Sequence, residues 1–131
     1  MKGRKNMLFK SHFGEYINSD HVIMVKTETF NDTYNLRIYT KSTDSLSTYK
    51  TATDMMEAYI KVMRPLSAND NWLATHGYAF KESAVEGFIV ADNMVTVIMK
   101  DRRVDIPCVG ISASQIEANF IGCARGAVVE T

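Results

Sequence analysis

Two cysteines, Cys108 and Cys123, are all the thiol chemistry that the 131-residue chain carries, and no CxxC spacing relates them. Buried thiols are expected rather than a disulfide framework. A structural zinc site is not expected either, because His12, His21 and His76 lack the close spacing of a ligand set. No apolar run approaches the length of a membrane span. The basic start, residues 1–6, leads only into Met7-Leu8-Phe9, too short for the apolar region of a signal peptide, so a cytoplasmic protein without a membrane partner is expected. Glycine is also sparse where phosphate chemistry needs it. Gly110, Gly122 and Gly126 make neither a P-loop nor a dinucleotide fingerprint. Asn69-Asp70-Asn71 is too short for a calcium loop. No G-x-S-x-G elbow is present, and Ser11 and His12, adjacent in an extended stretch, point to opposite faces. No catalytic residue, metal ligand or cofactor is therefore assigned, and a non-enzyme is expected.

What remains is ordinary globular material: 46% apolar and 23% charged, enough to build one domain over residues 1–131. The net charge of zero is unevenly spread. Lys2, Arg4, Lys5 and Lys10 precede the first acid, leaving 11 of the 15 bases against all 15 acids in the rest of the chain. A basic arm on a mildly acidic body suits phosphate contact.

The chain also reads as a duplication. Residues 16–25 align without a gap on residues 88–97, each running aromatic, Ile, any, small, Asp, polar, two apolar positions and Val. Downstream, residues 56–60 echo residues 116–120. Two matches in the same order predict a repeated strands-then-helix unit, with pseudo-repeats at 11–64 and 84–126 and a linker at 65–83. The Asp20-His21 pair is then a structural turn, since Asp92 holds the same place beside Asn93. Alternation and turn chemistry predict strands over 22–30, 34–41 and 46–50, with a hairpin turn at Asn31-Asp32-Thr33. A helix starts at Thr53, carries Met56, Tyr59, Ile60 and Met63 inward, and stops at Pro65. Trp72-Leu73-Ala74 reads as one helical turn stopped by Gly77. Strands follow over 84–91, 94–100 and 103–109, with Pro107 marking an edge position or a bulge. Ser112 and Gln115 form a capping box for a second helix. The expected class is α+β, an antiparallel sheet with two main helices.

The best candidate surface is the outward face of the strand ending at Lys41. Arg37, Tyr39 and Lys41 alternate with the core face, Lys26 and Tyr49 are expected on neighbouring strands, and Arg102 and Arg103 sit at a hairpin tip. Cations that track phosphates, interleaved with rings that stack on bases, suit single-stranded nucleic acid or a nucleotide.

One segment carries a family resemblance. Val109-Gly110-Ile111-Ser112-Ala113-Ser114-Gln115-Ile116-Glu117 resembles the passage from last strand into helix of Whirly-like single-stranded-DNA-binding proteins and the related transcriptional-coactivator domain. That resemblance implies two strands-plus-helix units and assembly into homo-oligomers. The phage sponges of the Thoeris anti-defence group, described as Whirly-like, would imply a cyclic nucleotide held between protomers instead. A protein-directed inhibitor or structural subunit is the third class.

Overall fold

The computed structural model describes residues 7–107 other than His76, Asp92 and Asp101, together with Ala118. The elements, in chain order, are β1 (Leu8–Lys10), β2 (Tyr16–Asn18), β3 (Val22–Phe30), β4 (Thr33–Thr40), β5 (Asp44–Tyr49), α1 (Ala52–Asn69), β6 (Trp72–Thr75), β7 (Tyr78–Lys81), β8 (Val85–Ala91), β9 (Met94–Met99) and β10 (Arg102–Pro107). Among the described residues the strands form three antiparallel sheets, ordered β1-β2, β5-β4-β3-β7-β6 and β10-β9-β8.

The central five-stranded sheet has an apolar region on each face. Val25, Leu36, Ile38 and Ala79 face α1 and meet Val62, Met63 and Leu66. Met24, Leu73 and Phe80 face the three-stranded sheet and meet Val95, Val97, Met99 and Ile106. A register shift between Val22 and Met24 makes this double use possible. The extra residue of such a bulge disturbs strict alternation. Ile23 and Met24 thereby enter one core while Val22 and Val25 enter the other. The β3–β4 hairpin closes on Asn31 and Asp32, at φ 51° and 63°. Those left-handed values match a two-residue type I′ turn, which suits the twist of the flanking strands.

These observations correct the expected fold. One sheet with two main helices is replaced by three sheets and one described helix, and strand dominates. Of the second helix expected from Ser112, Ala118 alone is among the described residues, where it is helical, and the rest of that stretch lies outside them. The two stretches aligned in the sequence also begin in different local elements. From Tyr16 the chain turns a corner through one 3₁₀ turn at Ser19–His21, whereas Phe88 lies within β8 on the way to a hairpin. The corner that does recur is the passage from β7 into β8 through a second 3₁₀ turn at Glu82–Ala84. In both, the residue after the turn returns its amide to the turn's first carbonyl, Val22 to Ser19 and Val85 to Glu82.

Residues 65–83, read as a linker, contain the last turn of α1, β6 and β7. Trp72-Leu73-Ala74 is strand rather than helical turn, paired with β7 along its length. Helix α1 is capped by Thr51, whose hydroxyl accepts the Asp54 amide at 3.1 Å, and runs past Pro65 to Asn69. Its buried stripe is Met55, Val62, Met63 and Leu66, while Met56 and Ile60 are 43% and 48% exposed. Pro107 does end an edge strand, as expected.

Candidate nucleic-acid interface

The three-stranded sheet covers only part of the face it packs on, and a groove opens where that cover ends. It holds about 300 Å³ and is lined by Met24, Lys26, Tyr39, Tyr78, Arg102, Arg103, Val104 and Asp105. Register brings them together. Met24 pairs with Tyr39 and Lys26 with Tyr78 across β3, so all four share one face. Arg102 starts β10 opposite Met99, whose side chain is in the shared core, so its guanidinium reaches inward over the central sheet.

Two cations here are braced on rings. The Arg102 guanidinium lies 5.1 Å from the centre of the Tyr39 ring and donates to the Thr40 carbonyl at 3.2 Å. The Lys26 ammonium lies 5.2 Å from the centre of the Tyr78 ring, and Tyr78 in turn stacks on Phe80 at 5.8 Å and 2°. Such cation–π contacts contribute about 0.5–1 kcal/mol at exposed sites. Their greater effect is to hold the cations in place. Arg103 is exposed and has no ionic partner among the described residues.

An acid-rich strip adjoins the groove. Glu28 bridges Lys26 at 3.2 Å and Arg37 at 3.1 Å, and Arg37 also meets Asp44 at 2.9 Å. Burial pushes the Glu28 carboxyl up, but the hydrogen bonds from Arg37 and Lys26 outweigh it and hold it below the ordinary glutamate value. The hydrogen bond to Glu28 raises the Arg37 guanidinium above its usual value. For Lys26, burial acts downward, and the bond to Glu28 with help from Tyr78 turns the balance upward. Desolvation raises the Tyr39 hydroxyl.

The expected residues therefore separate into groups. Lys26, Tyr39, Arg102 and Arg103 meet in the groove. Arg37 shares their face but is committed to two acids. Lys41 lies past the end of β4 at a different cavity, lined with Tyr16, His21 and Lys81. Tyr49 is not a neighbour of Lys26. It pairs with Tyr34 on the helix side of the sheet and meets the His12 ring edge-on at 4.6 Å. Tyr78 is the ring that the sequence reading missed; its alternation with Phe80 through β7 was the available signal. No cluster of three or more acids, histidines and cysteines placed to hold a metal occurs among the described residues.

No family model matches the chain, and no curated protein matches it by sequence. A solved structure does: the LytTr DNA-binding domain of a Bacillus cereus protein, at TM-score 0.55 and 11% identity, over 93% of this chain and 98% of that one. At that identity the likeness is one of fold. It places the chain among mostly-sheet folds of the LytTr type, which is where its three sheets and one described helix also put it.

Proposed function

We propose that this chain is a non-enzymatic DNA-binding module whose inter-sheet groove receives the phosphate backbone. The observation that carries the reading is the convergence of Arg102 and Arg103 beside Lys26, whose charge Glu28 partly offsets, with Arg102 and Lys26 laid on tyrosine rings. The structural neighbour is named as a DNA-binding domain, which supports the same class.

The rings modify the expectation of single-stranded binding. Stacking on bases needs open ring faces. Tyr39 and Tyr78 each already have a cation over one face, and Tyr78 has Phe80 on the stack as well. They serve as platforms for cations, and cations on a rigid sheet edge suit a regular line of phosphates. Duplex DNA is therefore favoured over a single strand. Phosphates supply affinity through counterion release, and the released count fixes the salt dependence.

Labelled duplex and single-stranded oligonucleotides titrated at low and moderate salt test this. Duplex binding should weaken steeply with salt, and Arg103→Ala should lower the salt slope by about one. Arg37→Ala should cost less affinity than Arg103→Ala, because Arg37 is already neutralised. Absence of duplex binding at low salt removes the proposal, and tighter binding of single strands restores the stacking mode.

A further inference from the structure

A second cavity, separate from the groove, has a different character. It measures about 480 Å³ and lies where both 3₁₀ corners and the β4–β5 turn converge, at the end of the central sheet. A volume of this size is typical of small-molecule sites. Ile17, Ile23 and Ala84 supply apolar wall. Around them stand Lys41 and Lys81, His21, the four hydroxyls of Thr40, Ser42, Thr43 and Ser83, the Tyr16 phenol, and Asp20.

The cations are placed in contrasting ways. Lys81 is held rigidly: its side chain is 14% exposed, 3.6 Å from Asp70 and 3.5 Å from the Asp20 carbonyl. Lys41 is exposed, and no ion pair to it occurs among the described residues. It rides on a turn that is itself fixed, since the Thr40 hydroxyl accepts the amides of Ser42 at 3.4 Å and Thr43 at 3.1 Å. Lys41 also borders a smaller cavity of about 130 Å³ that adds Lys100. Tyr16 stands at the rim, 61% exposed, with Lys10 at 5.6 Å over its ring.

We propose that this cavity binds a nucleoside monophosphate. Lys41 and the hydroxyls of the β4–β5 turn meet the phosphate, and the base stacks on the face of the exposed Tyr16 ring that Lys10 leaves open. The long-armed free cation beside a fixed turn answers the charged end, and the exposed ring answers the planar end. No side chain of the DNA groove is required.

Calorimetry and thermal melting of the full chain with AMP, adenosine and inorganic phosphate form the test. AMP should bind and raise the melting temperature, as ligands of the native state do. Adenosine and phosphate, each lacking one half, should bind at least about tenfold more weakly. Lys41→Ala and Tyr16→Ala, both at exposed positions, should each weaken AMP about tenfold, in keeping with lost charge pairing or base stacking. Arg103→Ala should leave AMP binding intact while impairing duplex binding, which separates this site from the groove. The proposal is overturned if AMP gives neither heat nor shift, if adenosine binds equally well, or if duplex DNA displaces AMP.

Discussion

Lys26 and Arg37 lie directly opposite each other on β3 and β4, an arrangement that sets like charges side by side. Glu28 makes it tolerable by bonding to both, and Asp44 takes the remaining arm of Arg37. Alternation placed Arg37 and Tyr39 on one face correctly; the acids between the bases depend on cross-strand register, which no single strand displays. Glu28 is largely shielded but not fully buried, so its bridge contributes about 1 kcal/mol or less. Because its folded pKa is depressed, that contribution is present above the ordinary glutamate value and disappears as pH falls through the folded value. Glu28→Gln should therefore lower the urea midpoint at neutral pH, and the two proteins should converge as pH falls past the depressed folded value of Glu28. A constant gap across that range would exclude the bridge as the cause. His12 acts at the other end of the same sheet. Its Nδ1 accepts the Thr48 amide at 3.2 Å on edge strand β5, while its own amide donates to the Ser47 hydroxyl at 3.1 Å. His12→Ala should cost about 0.5–1.5 kcal/mol and speed hydrogen exchange at the Thr48 amide. Unchanged exchange there would show that the imidazole does not protect the edge.

Elements were legible where their signals are local. Alternation in β4, the Asn31-Asp32 turn and the edge proline Pro107 each act over a few residues, and each is where the pattern put it. Two local signals misled because packing overrode them. Proline disfavours helix in the residue before it, yet α1 continues through Pro65, with Leu66 at 2% exposure anchoring the turn beyond. Trp72-Leu73-Ala74, preceded by a capping residue and followed by glycine, has a helical signature; pairing with β7 decides it as strand. Pro65 still carries a cost, since it removes the amide that would bond to the Lys61 carbonyl. Pro65→Ala should stabilise the protein by about 1–3 kcal/mol, read as a higher urea midpoint at unchanged slope. No gain would mean that α1 needs a bend there. At the β3–β4 turn, Asp32 has a positive φ that a β-branched residue resists, so Asp32→Val should cost about 1–2 kcal/mol. Equal stability of that variant would show that the turn relaxes to another type.

At the scale of the molecule, the number of sheets and the way they stack were hidden from the sequence. Both faces of β3 are buried, so its run of apolar residues does not announce which partner lies on which side, and the pairing of β3 with β7 joins segments far apart in the chain. That stacking creates the groove. Lys26, Tyr39 and Tyr78 belong to the central sheet, Arg102 and Arg103 to the outer one, and the core between the sheets, with Phe80, Val97 and Ile106 in it, holds the two sets in reach together with the Arg102 bond to the Thr40 carbonyl. Ile106 is on the same strand as the arginines, 1% exposed, and carries no charge. Ile106→Ala should cost about 2–5 kcal/mol by leaving a cavity between the sheets. Against a typical total of about 5–15 kcal/mol the protein should remain folded at low temperature. Under those conditions duplex affinity should fall severalfold while the salt slope stays unchanged, because every cation is still present and only their relative placement has loosened. Arg103→Ala should do the reverse, lowering the slope with little loss of stability. If Ile106→Ala leaves affinity untouched, the groove between the sheets is not where DNA binds, and the phosphate contacts belong to another surface.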